Sequence, residues 1–188
     1  MLFRDLGFAV SSGQILALEG PNGAGKTSLL RAIAGFLEPR EGMIRIALQG
    51  GDYIDGNEER ARYIGWLGHQ DGAKPQMTPL EVLGFHTHFY GCTSDVGAAL
   101  KTVGLARVRE LPVQFLSAGQ KRRLALARLS LSERPIWLLD EPLAALDAAG
   151  KSLVNEMIAT HCRAGGLAVA ATHEPLGLDC VRLNLGTP

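Results

Sequence analysis

Apolar residues along this chain fall into two kinds of run. Short, nearly unbroken stretches read as strands: Ile15–Glu19 (ILALE), Met43–Leu48, Tyr63–Leu67, Pro135–Asp140 (PIWLLD), Leu167–Thr172 and Val181–Leu185. Longer segments read as helices: Lys26–Phe36, Thr78 to about Tyr90, Ser94–Val103, Ala118–Leu131 and about Asp147 to Cys162. Thr78-Pro79-Leu80-Glu81 is a start signal, since Thr78 can cap, Pro79 suits the first helical position and Glu81 completes a capping box. Ala118–Leu131 is predicted to be strongly amphipathic, with its basic residues on one face.

The run Pro135–Asp140 suits a central strand covered on both faces. Strands alternating with helices predict an α/β fold with a mainly parallel sheet. The mostly helical stretch from about Gly72 to Leu131 interrupts that alternation. The expectation is therefore one domain, with a core of residues 1–71 and 132–188 and an inserted helical subdomain at about 72–131.

Length and charge narrow the classes. A chain of 188 residues fits a single domain. Nineteen basic residues balance nineteen acidic ones, so no net field steers it onto nucleic acid, and no nucleic-acid partner is expected. Cys92, Cys162 and Cys180 are widely spaced with no C-x-x-C, as expected of buried thiols in a reducing compartment. The N-terminal MLFRDLGFAVSSG lacks the pattern of a signal peptide, and no stretch approaches the ~18 apolar residues that span a bilayer. A cytosolic chain is expected, with any membrane role supplied by a partner.

Gly20-Pro21-Asn22-Gly23-Ala24-Gly25-Lys26-Thr27 fits G-x-x-x-x-G-K-[ST], between a predicted strand and a predicted helix. Glycines let the backbone fold around a phosphate so that several N–H groups point inward, and the helix N-terminus adds its positive dipole end. Lys26 is expected to reach the β- and γ-phosphates, with the Thr27 hydroxyl on Mg²⁺ and Ser28 completing the binding set. Asp140 and Glu141 end an apolar strand, where open α/β sheets bind ligands. Asp140 suits a Mg²⁺-organising role, and Glu141 is then placed to orient or deprotonate an attacking water. Leu116-Ser117-Ala118-Gly119-Gln120 opens the basic helix. Read alone, Ser117 is a simple N-cap or part of an anion site. His173 read alone is a structural histidine. His86 and His88, two apart on a helix, point to different faces and make a poor metal pair.

Taken together, GPNGAGKT, Gln70, LSAGQ, WLLDEP, AALD and His173 resemble the nucleotide-binding subunits of ABC transporters, over about residues 3 to 183. The resemblance implies a P-loop NTPase (RecA-like) core carrying a helical ABC subdomain, and two copies closing head-to-tail over two ATPs. It implies that Gln70 ligates Mg²⁺ or water and links the site to a membrane partner. Ser117 and Gly119, with Gln120 beside them, would bind the γ-phosphate across that homodimer. Asp147 would lie at its interface, and His173 would contact the γ-phosphate.

Ala118 departs from the usual LSGGQ, and its methyl is tolerable only where φ is negative. The family's strand with an adenine-stacking aromatic would precede the stretch LFRDLGFAV, so either the true start lies upstream of Met1 or the adenine is held otherwise, Phe3 being a poor substitute. Lost stacking of ~1–3 kcal/mol predicts weakened ATP affinity.

Within the family, GWLGHQDGAKPQMTPLEVLGFH, LSAGQKRRLALARL and THEPLGL resemble the ATP-binding subunits of cytochrome c maturation. That resemblance implies membrane transporter subunits as partners, haem met only indirectly, and a peripheral position on the cytoplasmic face of the bacterial inner membrane. Another ABC transporter, a non-transport ABC ATPase and a P-loop kinase or GTPase are the competing expectations.

Overall fold

The computed structural model of the chain describes residues 3–47, 53–54, 56–68 and 72–186. Its strands are β1 (Ile15–Glu19), β2 (Ile46–Ala47), β3 (Tyr53–Ile54), β4 (Ile64–Leu67), β5 (Ile136–Asp140), β6 (Leu167–Ala171) and β7 (Val181–Asn184). The helices are α1 (Lys26–Ile33), α2 (Asn57–Arg60), α3 (Pro79–Tyr90), α4 (Val96–Thr102), α5 (Ala118–Leu131) and α6 (Ala148–Arg163). Five strands form one sheet in the order β4-β5-β6-β1-β7, with every pairing parallel. β2 and β3 pair separately and antiparallel. The mixed α/β architecture with a parallel main sheet is the one the alternation predicts.

Period-two alternation explains why the central strands read as unbroken apolar runs. Ile15, Ala17, Trp137, Leu139, Ala168 and Ala170 join Leu126 and Leu129 of α5 and Val154 and Ile158 of α6 in one cluster. Leu16, Leu18, Ile136, Leu138, Val169 and Ala171 join Leu29, Leu30 and Ile33 of α1 in another. Both faces of the sheet are thus covered, and each large apolar side chain withdrawn from water contributes about 1.5–3 kcal/mol. Cys162 is buried, which pushes its thiol pKa up, while Cys92 and Cys180 are half-buried; all three are free.

Several boundaries differ from expectation. α1 stops at Ile33 rather than Phe36, because Gly35 turns left-handed (φ 83°) and the Phe36 N–H closes back onto the Arg31 carbonyl at 2.8 Å. α4 begins at Val96 rather than Ser94, capped by Asp95, whose carboxylate accepts from the N–H groups of Gly97 and Ala98. Of the predicted strand Met43–Leu48, Met43–Arg45 are not strand, Ile46–Ala47 are, and Leu48 lies outside the described residues. α3 opens with the predicted capping box between Thr78 and Glu81.

The largest correction concerns α5. Lys121, Arg122 and Arg123 are consecutive, so successive side chains leave the helix about 100° apart and share no face. Leu124, Ala125, Leu126, Ala127, Leu129 and Leu131 are all buried, as is Arg122, so the helix is packed nearly all round rather than bearing one solvated basic side. One side meets the sheet. The other meets a third cluster, formed with Val82 and Leu83 of α3, Leu100 of α4, and Val103, Leu105, Val113 and Leu116.

His86 on α3 stands beside Tyr90, with its Nε2 buried and unpartnered. Burial first, then the charges of Arg128 and Arg134, lower its pKa from 6.5 to about 4. The folded state holds this ring neutral, whereas the unfolded chain takes up a proton below pH 6.5. Its contribution is therefore complete above pH 6.5 and is lost as pH falls toward 4. A His86→Phe variant is expected to lose less stability than wild type across that window. The difference is on the order of 1 kcal/mol after discounting for solvent screening of a half-exposed ring. Urea midpoints at pH 7 and pH 4.5 would measure it.

Candidate active site

Because the main sheet is parallel, the carboxyl ends of its strands share one edge. The order β5-β6-β1 sets three connections side by side there: the loop after β1, Asp140-Glu141 at the end of β5, and Thr172-His173 after β6.

The loop Gly20–Gly25 leaves β1 and enters α1 at Lys26. Gly20 and Gly25 have φ of 149° and 89°, and an added Cβ would come within 2.3 Å of the Leu185 carbonyl oxygen or 2.5 Å of the Phe3 ring, respectively. Only glycine fits either position. Pro21, Asn22 and Gly23 are exposed, Ala24 is buried beneath them, and Ser28 is half-buried in the first turn of α1. The Lys26 side chain, 7% exposed, folds back so that Nζ donates to the carbonyls of Gly20 (2.7 Å) and Pro21 (3.2 Å). Its ammonium is thereby held inside the loop curve.

Thr27 reaches across to β5. Its hydroxyl lies 2.9 and 3.1 Å from the two carboxylate oxygens of Asp140, which is 4% exposed. A hydroxyl and a carboxylate side by side are hard oxygen donors of the kind Mg²⁺ takes, and that ion keeps much of its shell as water and substrate phosphate. Among the described residues no cluster of three or more His, Cys, Asp or Glu is placed to hold a metal.

Glu141 follows Asp140 in the left-handed region, at φ 50°. Its N–H donates to the Ala171 carbonyl at 2.8 Å, and its carboxylate accepts from His173 Nδ1 at 2.7 Å. His173 Nε2 lies 3.8 Å from a carboxylate oxygen of Glu174. Thr172 is buried, and its hydroxyl donates to the Glu174 carbonyl (2.6 Å) and accepts from the Glu174 N–H (3.1 Å), a tight turn that sets His173. Lys151 on α6 pairs with the Glu174 carboxylate and braces the same turn.

The structure therefore brings together the loop Gly20–Ser28, Asp140, Glu141 and His173. Ser117 and Gln120 are engaged with each other instead: the Ser117 hydroxyl accepts from the Gln120 N–H, and the Gln120 side chain accepts from the Ser117 N–H. That capping box opens α5 beside the Asp140-Glu141 segment's continuation, since a Cβ on Gly119 would meet the Ala145 carbonyl at 3.0 Å. Ala118 starts the helix and is not among the described residues with positive φ, which removes the objection to its methyl. Asp147 caps α6 through Gly150 N–H at 2.8 Å. Gln70, with its neighbour His69, lies outside the described residues.

Residues 3–144 match the family described as ABC transporter. The chain belongs to the ABC transporter family. Two curated relatives carry the name cytochrome c biogenesis ATP-binding export protein CcmA. That of Rhodopseudomonas palustris is 47% identical over 186 residues, and that of Bradyrhizobium diazoefficiens is 48% identical over 186 residues. Each alignment covers 98% of this ABC chain and 90% of the relative. Among solved structures, a putative ABC transporter ATP-binding protein from Pyrococcus furiosus is 25% identical with a TM-score of 0.77, covering 94% of this chain and 86% of that one. An ATP-binding subunit of an ABC transporter is 27% identical with a TM-score of 0.79, covering 92% and 73%.

Three contributors to this arrangement escaped the sequence reading. Lys151 and Glu174 carried no signal, because their pairing joins α6 to a loop 23 residues away. Arg122 did carry one: a charged residue next to the buried run Leu124–Ala127, in a helix whose other faces are apolar.

Proposed function

We propose that this chain is the ATP-hydrolysing subunit of the ABC export complex of cytochrome c biogenesis, coupling ATP + H₂O → ADP + phosphate to export of haem or its release from a chaperone. The observation that carries the ATPase reading is the meeting of the glycine loop, Asp140, Glu141 and His173 on one sheet edge. The cytochrome c assignment rests on the relatives named above, which span nearly the whole chain.

In this reading the triphosphate lies in the curve of Gly20–Gly25. Lys26 exchanges its two neutral carbonyl acceptors for the β- and γ-phosphate oxygens. Backbone N–H groups at the start of α1, with Ser28, cradle the rest. Thr27 and Asp140, together with Gln70, would hold Mg²⁺, which would supply charge neutralisation for the phosphates. Glu141 takes up a proton from the attacking water through its carboxylate, and His173, tethered to that carboxylate by Nδ1, contacts the γ-phosphate.

Ser117, Gly119 and Gln120 serve the partner copy's nucleotide across a head-to-tail homodimer. Residues 1–71 and 132–188 form the nucleotide core, with the helical insert at about 72–131 facing the transporter's membrane subunits. No helix among the described residues is long and apolar enough to cross a membrane, so attachment to the inner membrane's cytoplasmic face falls to those subunits. Haem itself is handled there.

The test is to tag the subunit in its native cell, solubilise the membranes gently and identify what co-purifies. Recovery of cytochrome c maturation membrane proteins is the expected result. Recovery of an unrelated permease would keep the ATPase and discard the haem assignment.

A further inference from the structure

Of the three consecutive basic residues on α5, only Arg122 is buried, at 5% exposure. Its guanidinium enters the junction between the helical cluster and the sheet. Nη1 donates to the Gly68 carbonyl at 2.7 Å, and Nη2 donates to the carbonyls of Asp140 and Glu141 at 2.5 and 2.6 Å. Burying a guanidinium costs several kcal/mol of desolvation, and a well-packed apolar residue often serves stability as well or better. Packing alone does not account for an arginine here.

These acceptors point to a different role. Gly68 directly follows β4, Asp140 ends β5, and Glu141 is the next residue. Glu141 is one of only four non-glycine residues with positive φ among those described. Such a conformation persists only where its surroundings hold it. Here the Asp140–Glu141 peptide is gripped from both sides, its carbonyl by Arg122 and its N–H by the Ala171 carbonyl at 2.8 Å. The next carbonyl, that of Glu141, is bound by the same Arg122 nitrogen. Releasing φ to the ordinary negative region would swing the carboxylate away from its position 2.7 Å from His173 Nδ1. A rigid fork that meets two successive carbonyls with one nitrogen and a third with the other is a geometry lysine cannot copy.

We infer that Arg122 is a positioning residue of the ATPase: it locks the left-handed backbone of Glu141, keeps that carboxylate against His173, and ties the setting to the end of β4. The inference rests on the ATPase reading of Glu141. Arg122 acts through Glu141 and touches no substrate.

The experiment measures ATP hydrolysis and nucleotide binding by Arg122→Met and Arg122→Lys variants, in the complex the subunit purifies with. Arg122→Met carries no buried charge and tests the loss of the fork; Arg122→Lys keeps the charge if the first variant folds poorly. Both should lose roughly 10- to 100-fold in kcat, as misplacement of a reacting group does. The KM for ATP and the affinity for a fluorescent ATP analogue should stay within ~3-fold, the signature of an interaction made only in the transition state. In a Glu141→Gln background, Arg122→Lys should cause no further fall in the single-turnover rate, since the group it positions is already disabled. A variant that melts lower yet keeps its kcat, or a full further loss on top of Glu141→Gln, would make Arg122 a structural residue and overturn the inference. A wild-type complex without ATPase activity would instead overturn the ATPase reading itself.

Discussion

Glu141→Gln is expected to bind ATP with wild-type affinity and to hydrolyse it roughly 10²- to 10⁴-fold more slowly, the range a general base contributes. Glutamine keeps the shape of the side chain, and its Oε1 can still accept from His173 Nδ1, so the arrangement around the two residues survives. What it removes is the capacity to take a proton. The side-chain hydrogen bonds of Lys26 and Thr27 go to Gly20, Pro21 and Asp140, so the substitution leaves the phosphate-binding half's own bonds in place. Phosphate release assayed beside a nucleotide titration separates the two halves. The same variant should accumulate as a nucleotide-dependent dimer, detectable by size-exclusion chromatography with ATP. A variant that hydrolyses at the wild-type rate would remove Glu141 from the chemistry.

Lys26→Ala should lose binding and turnover together. The ammonium lies inside the loop with both of its hydrogen bonds going to that loop's own carbonyls. Those bonds are to neutral oxygens and are readily traded for phosphate oxygens, which form charge-assisted bonds of about 1.5–3 kcal/mol each. Losing two of them lowers ATP affinity by roughly 10²- to 10⁴-fold. Alanine is otherwise a favourable residue for the first turn of α1, and the carbonyls of Gly20 and Pro21 lie near exposed loop where water can replace the lost donor. The fold should therefore hold, with a melting temperature close to wild type, and the defect should appear in equilibrium binding. ATP affinity within a few-fold of wild type would show that the loop grips its ligand by backbone alone.

Much of this architecture was legible because local chemistry and global packing agree. Thr78, Ser117 and Asp147 announce helix starts by side chains that bond within three residues, and the structure has each of those bonds. The strands Ile136–Asp140 and Leu167–Ala171 were readable as continuous apolar runs because both their faces are covered. What escaped depends on distant partners. α2 and β3 are too short to carry a period. The basic face assigned to α5 failed because Arg122 turns inward to carbonyls of residues 68, 140 and 141, a destination that only the assembled sheet creates. Among the candidate site residues, the meeting of Thr27 with Asp140, 113 residues apart, was foreseeable from chemistry rather than from spacing.

The strand order also sets a timetable. β1 carries the glycine loop, yet both of its neighbours, β6 and β7, come from the last quarter of the chain. At synthesis rates of about 5–20 residues per second, β1 waits on the order of 10–30 s before either neighbour emerges. During that time its backbone hydrogen bonds and its apolar side chains have no final partners, and the helical cluster α3–α5, built from contacts nearer in sequence, can settle first. A chain interrupted before residue 167 thus carries the complete glycine motif without either strand that would hold it in place.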